Sequence, residues 1–285
     1  MYARKIRIAL VAGVGLLLAL GAVALASPSL PIVAPTPRFA DQMTNIDILR
    51  QEIKNYYGDT AGTGTFAADS NYAQEASWVA AEGSHWLAAR ANAHFKSGKK
   101  AIVLDVDDTT LATYNYEIFS KWVYDPTTNG NYVTGQLFPA VPGMVAMVTQ
   151  AAKEGYAIIW LTGRPASQEA PTLGNLTSDG VGVDAGYPSP TPLPTATQGG
   201  GSDGIFTKPP LLINGSLNPD YPQYLIDKCG TTVTCNTDEY KSATRQYIES
   251  LGYDIVANFG DQYSDFSGGF EDRTFKMPNP SYFLP

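Results

Sequence analysis

The chain predicts an α/β fold, a Rossmann-like, mainly parallel sheet sandwiched by helices, and three observations carry that expectation. Apolar runs at 101–104, 156–161 and 253–259 have the length of buried strands and end in polar turns. Helical patterns at 70–96, 142–154 and 241–251 precede or separate them, and parallel strands need crossover connections of that size. Each run also delivers polar residues at its carboxyl end, the edge where ligands bind in open α/β sheets. The 285 residues, 44% of them hydrophobic, suffice for one sizeable domain with its own core.

From the N-terminus, Arg4, Lys5 and Arg7 precede an apolar run at 8–26 that closes in Ala24-Leu25-Ala26 before Ser27. This order of charge, apolar stretch and small residues reads as a secretory signal over 1–26, cleaved after Ala26. The run is long enough to approach a bilayer's thickness, so an uncleaved anchor facing outside is the alternative. No cysteine follows it, which argues against a lipid anchor. Residues 27–40 carry Pro28, Pro31, Pro35 and Pro37 and read as an extended leader ahead of a domain at 41–285. A helix is expected over 42–57 with Ile46, Leu49, Ile53 and Tyr57 on one face, then a Gly/Thr loop at 59–68. The 70–96 helix turns Ala76, Val79, Ala80, Trp86, Leu87, Ala91 and Phe95 to the core and carries His85 and His94 as ordinary helix residues.

An irregular insert is expected at 111–139, rich in aromatics (Tyr114, Tyr116, Phe119, Trp122, Tyr124, Tyr132, Phe138) that either wall a pocket or fill a local cluster. Pro142-Gly143 opens the next helix, with proline near its first position. The stretch at about 185–237 reads as loop-rich because of Pro188, Pro190, Pro192, Pro194 and Gly199-Gly200-Gly201, with a short edge strand beginning at Ile205-Phe206. Lys241 begins the last helical pattern and Gly252 stops it. Asn175-Leu-Thr177 and Asn214-Gly-Ser216 fit the glycosylation pattern, a short motif that also arises by chance.

The formal charge is −8, and removal of 1–26 takes away three basic and no acidic residues, giving −11. That balance argues against nucleic-acid and anionic-membrane partners. An anionic substrate must then be attracted locally. Cys229 and Cys235, five residues between them, read as a short-loop disulfide in an exported chain.

Asp105 and Asp107 stand two apart at the end of the first strand. Acids this close repel, and a site that keeps both needs a cation, a shared proton, or both. A turn capping the next helix would use the same residue types. Thr162-Gly163-Arg164 ends the second strand, Lys241 follows, and Asp261 and Asp265 end the third. Each piece alone is weak, but this order is specific.

The four pieces together resemble the motifs of the haloacid dehalogenase superfamily of phosphohydrolases. More narrowly, Trp160-Leu-Thr-Gly-Arg164, Tyr240-Lys-Ser242, Asn258-Phe-Gly-Asp-Gln262 with Ser264-Asp265, and Lys276-Met-Pro-Asn-Pro280 resemble the secreted, class B-like acid phosphatases that include plant vegetative storage proteins. The resemblance covers about 70–285 and implies a haloacid dehalogenase-like fold with N-terminal helices and no large independent cap. It implies hydrolysis of small phosphate monoesters, with Asp105 as nucleophile and Asp107 as acid and base. Thr162, Gly163 and Lys241 would bind phosphate. Asp105, the backbone carbonyl of Asp107 and Asp261 would hold Mg²⁺, with Asp265 binding it directly or orienting a water. Arg164 would be a substrate contact or a structural ion pair. A narrow-specificity phosphatase such as a nucleotidase, or a non-catalytic storage protein, are the alternatives.

Overall fold

The computed structural model describes residues 38–93, 98–193 and 201–284. The expected signal segment and most of the expected leader lie outside these residues. Asn45 and Ser70 start the first two helices, α1 (Ile46–Tyr56) and α2 (Asn71–Arg90), by accepting from the Asp47 and Ala73 N–H groups. Only part of the expected α1 face is covered: Ile53 and Tyr57 are buried, whereas Ile46 and Leu49 are exposed. α2 buries Ala76, Val79, Ala80 and Leu87 and leaves His85 exposed. It ends at Arg90, short of the expected 96, and His94 and Phe95 lie outside the described residues.

β1 (Lys99–Leu104) follows. The insert at 111–139 is not irregular throughout, as its sequence suggests, but holds α3 (Tyr114–Ser120) and α4 (Pro126–Thr134). Asp125 caps α4 by accepting from Thr128 N–H, and Pro126 fills its first position. The Thr127-Thr-Asn-Gly-Asn131 interior carries no apolar stripe, so periodicity gives no helix signal there. α5 (Met144–Lys153) opens behind Gly143, whose φ of 82° and close approach to Ser77, where a Cβ would lie 2.9 Å from Cα, call for glycine.

β2 (Ala157–Pro165) leads through α6 (Glu169–Thr177) to the edge strand β3 (Ile205–Lys208). A small exposed hairpin, β4 (Leu212–Ile213) and β5 (Ser216–Leu217), and a short helix, α7 (Gln223–Cys229), come next. No large cap is present among the described residues. Cys229, ending α7, and Cys235 are joined in a disulfide. α8 (Thr237–Ser250) starts four residues before Lys241, behind a capping box of Asn236 and Glu239. β6 (Tyr253–Gly260) and a three-residue strand with no sequence signal, β7 (Thr274–Lys276), complete the chain.

Five of the strands form one sheet in the order β3-β2-β1-β6-β7, every pairing in it parallel, while β4 and β5 pair antiparallel apart from it. Alternation along the strands sends Ile102, Leu104, Ile158 and Trp160 to a core shared with α2 and α5. Val103, Ile159, Leu161 and Ile255 face the opposite core, built with α7 and α8. Helices therefore cover both faces, and β1 at the centre ends beneath the site. Asn175 is buried, its amide donating to the Phe138 and Val183 carbonyls, while Asn214 sits in the exposed hairpin turn. Among the described residues no helix is long and apolar enough to cross a membrane.

Candidate active site

The chain leaves β1 in a tight turn. Asp105 continues the ladder by donating its N–H to the Phe259 carbonyl at 3.0 Å. The Val106 carbonyl then accepts from Thr110 and Leu111 N–H, and Asp108 takes a φ of 50°. The Asp108 carboxylate accepts from the Thr113 backbone N–H at 3.0 Å and from the Thr113 hydroxyl. This turn buries Asp105 and Asp108 and leaves Asp107 partly open. Burial pushes Asp108 up to about 7, against its bonds to Thr113.

Asp105, Asp261 and Asp265 each offer an oxygen within 4.8 Å of the others, all three residues being buried. Lys241, reaching in from α8, donates to Asp105 Oδ1 and Asp265 Oδ1, both at 2.5 Å. Asp265 approaches so closely that a Cβ on Gly260 would lie 2.3 Å from its Oδ2, which makes glycine obligatory there. Its other contacts are the Gln262 N–H on Oδ2 and the side chains of Asn258 and Arg245 on its carbonyl. Arg245, fully buried and one helical turn beyond Lys241, also donates to the Ser267 and Gly269 carbonyls and pairs with Glu271 at 3.1 Å. Sequence reading assigns Arg245 no role, although the four-residue spacing from Lys241 puts both on one helix face.

Burial works against the Lys241 ammonium, but Asp105 and Asp265 outweigh it and raise its pKa, so the group is charged. Burial pushes Asp105 well up, opposed by Lys241 and reinforced by Asp265 and Asp261. Asp261 is driven up to about 7 by burial and then by the charges of Asp265 and Asp108. With all three carboxylates ionised against one ammonium, two negative charges would be uncompensated, and the upward shifts of Asp105 and Asp261 reflect that repulsion together with burial. An all-oxygen donor set with that residual charge fits a hard divalent cation.

Thr162 is buried at the end of β2, with Gly163 exposed beside it and the Arg164 N–H donating to Thr162 Oγ1 at 3.2 Å. Arg164 grips Asp107 with two nitrogens, Nη2 to Oδ1 at 2.6 Å and Nε to Oδ2 at 3.0 Å, while Nη1 donates to Thr172. Of the two roles open for Arg164, the ion pair is formed, and its side chain also lines the cavity. Asp107 is thus beside the cluster but turned to Arg164. Above them lies an open cavity of about 490 Å³. Its walls come from Glu117, Trp122, Tyr124 and Asn129 of the insert and from Tyr282, Phe283 and Leu284 of the C-terminal segment. The aromatics of the insert split between roles, since Tyr114, Tyr116 and Phe138 are buried in the core.

A family model described as HAD superfamily, subfamily IIIB (acid phosphatase), matches residues 33–192 and 228–285. The chain belongs to this family. The matched acid phosphatase segments contain all of Asp105, Asp107, Thr162, Gly163, Arg164, Lys241, Asp261 and Asp265. The unmatched stretch between them holds β3, the hairpin and most of α7. A stem 28 kDa glycoprotein of Glycine max is 29% identical over 65% of this chain and 61% of its own length. Acid phosphatase 1 of Solanum lycopersicum is 27% identical over 66% and 60%. The chain thus spans about three fifths of the length of these curated relatives. A class C acid phosphatase from Bacillus anthracis with tungstate bound has the same fold, with a TM-score of 0.54, 21% identity, and coverage of 82% of this chain and 86% of that one.

Proposed function

We propose that the protein is a secreted, Mg²⁺-dependent acid phosphatase that hydrolyses small phosphate monoesters through an aspartyl-phosphate on Asp105. The observation that carries this reading is the buried cluster of Asp105, Asp261, Asp265 and Lys241 at the floor of an open cavity, in a chain of the acid phosphatase family. Asp105 attacks phosphorus as the bond to the leaving oxygen breaks, and Asp107 donates a proton to that oxygen. Asp107, now a carboxylate, takes a proton from a water whose oxygen attacks phosphorus. The acyl-phosphate bond breaks, inorganic phosphate leaves and Asp105 is restored. Each Asp107 oxygen keeps a second lone-pair site beside its Arg164 bond, so Asp107 can carry the proton while Arg164, itself held by Thr172, orients it.

Thr162, its hydroxyl hydrogen not engaged by the Arg164 N–H it accepts, donates to a phosphate oxygen together with the Gly163 N–H. Lys241 offsets the negative charge that builds on the transferring group. Mg²⁺, bound by Asp105, the Asp107 carbonyl, Asp261 and Asp265, would orient the phosphate and offset its repulsion from the carboxylates. The charged, apolar and small-residue order of 1–26 and the Cys229–Cys235 bridge support export to an oxidising compartment. The strong negative net charge favours small substrates over nucleic acid.

Asp105→Asn should reduce hydrolysis of p-nitrophenyl phosphate to background while leaving the fold intact. Chelation should silence the wild type and added Mg²⁺ restore it. Activity near wild type in Asp105→Asn, or indifference to thorough chelation, sinks the mechanism.

A further inference from the structure

Asp261 receives two neutral donors on one oxygen. Gln262 Nε2 lies 2.6 Å and Asn279 Nδ2 2.7 Å from its Oδ2. The orientation of both amides is fixed by chemistry, since a carboxylate oxygen only accepts and each amide must present its nitrogen. Among the described residues the other oxygen, Oδ1, is met only by the Thr109 hydroxyl at 3.5 Å. Both amides are themselves held. The Leu284 N–H donates to Gln262 Oε1 at 3.1 Å, and the Ser281 N–H donates to Asn279 Oδ1 at 2.8 Å. The segment from Asn279 to Leu284 is thereby tied across Asp261.

We infer that Asn279 and Gln262 are positioning residues that saturate Oδ2 of Asp261 and aim Oδ1 into the acid cluster, so that the C-terminal segment sets the cation affinity of the site. The inference rests on the metal role proposed above for Asp261. An ammonium in the same place would compete with the cation for the carboxylate's charge, whereas uncharged amides orient the group and leave its full charge to the metal. Donors behind a metal-binding side chain typically change affinity 10- to 100-fold when removed. The arrangement also joins two parts of the site, because Ser281, Tyr282, Phe283 and Leu284 line the cavity. A disturbance of that wall reaches the cation through Gln262 and Asn279.

The test is calorimetric titration of the full chain with Mg²⁺ alone, without substrate, on the wild type, Asn279→Leu, Gln262→Leu and Asn279→Gln. Asn279→Leu, similar in size but unable to donate, should weaken the Kd about 10- to 100-fold. Its melting temperature without metal should fall, because Asp261 Oδ2 and the Ser281 N–H each lose a partner, and the upward shift produced by Mg²⁺ should shrink as well. Asn279→Gln, which keeps an amide, should recover part of the affinity. If Asn279→Leu does not fold, Gln262→Leu carries the same expectation. Kd values within twofold of wild type in the folded leucine variants overturn the inference and leave the phosphatase reading standing. A wild type that binds no divalent cation overturns both.

Discussion

The floor and the walls of the cavity are built by different means. On the floor, Asp105, Thr162, Lys241, Asp261 and Asp265 are all at most 6% exposed and stand in β2, just beyond β1 and β6, in the 3-10 turn Tyr263–Asp265, or on α8. Each is held by elements paired or packed on both sides, and each has at least one polar partner at fixed distance. On the walls, Tyr124 is 71%, Phe283 47% and Leu284 50% exposed. They project from a connection between short helices and from a C-terminal segment without regular structure. Reactive groups placed on rigid elements keep the geometry that chemistry requires, whereas exposed side chains on irregular segments can vary without disturbing it. Under the function proposed above, the floor would carry the reaction and the walls the choice of substrate.

Changes to the floor should be the costlier. Beyond the loss at Asp105, Asp107→Asn should keep the nucleophile and the backbone carbonyl but forfeit acid–base help worth roughly 10²–10⁴ in rate. Steady-state kinetics should find the deficit largest on alkyl phosphates and smallest on p-nitrophenyl phosphate, whose leaving group needs little protonation. An equal deficit on both would remove Asp107 from proton transfer. On the walls, Tyr124→Ala and Phe283→Ala should lower kcat/KM for bulky leaving groups by about tenfold or less and leave glycerol phosphate unaffected. A thousandfold fall in kcat in either variant would erase the distinction between floor and wall.

The smallest effect on turnover is expected from Asp59, which braces the insert from behind. Its carboxylate accepts from the Thr63 and Gly64 N–H groups, the Thr63 hydroxyl and the Tyr114 hydroxyl of α3. Tyr114 also stacks on Tyr57 with ring centroids 3.9 Å apart. Burial tends to raise the Asp59 pKa, but the bonds from Thr63, Gly64 and Tyr114 outweigh it and hold the group below its ordinary 3.8. A carboxylate depressed on folding stabilises the protein above its unfolded pKa, and that contribution is lost as pH falls through the folded value. Asp59→Asn should thus cost about 1–3 kcal/mol at neutral pH with kcat unchanged. In melting curves taken across pH, the gap from wild type should close below about pH 4. A gap independent of pH would mean that the charge of Asp59 contributes nothing.

The same division explains what the sequence reveals. The central strands announce themselves by local apolar runs, and the acids, the threonine and the lysine by their place at strand ends or in a helix, so the parallel α/β fold and the residues of the floor are legible. Helix α4 is not, because Thr127, Asn129 and Gly130 are weak helix formers, and α3, with 7 residues, is too short to show a helical period. The three-residue β7 is too short to show a period. Arg164 could not be assigned from sequence because its partner Asp107 stands 57 residues away. Asn279 on the Asp261 side chain and Arg245 on the Asp265 and Gly269 carbonyls are likewise contacts across the sequence with no local signal of their own.

The strand order has a consequence for how the molecule comes into being. β1, the central strand, pairs Ala101 with Ala157 on one side and with Ile255 on the other. Its second neighbour is thus synthesised long after the first, and loop closure over such a distance is entropically costly and slow. Until β6 docks, one edge of β1 stays open as a template for wrong pairing, and Asp105 has neither Asp261 nor Asp265 beside it. The charge repulsion of the cluster therefore arises only when β6 joins β1.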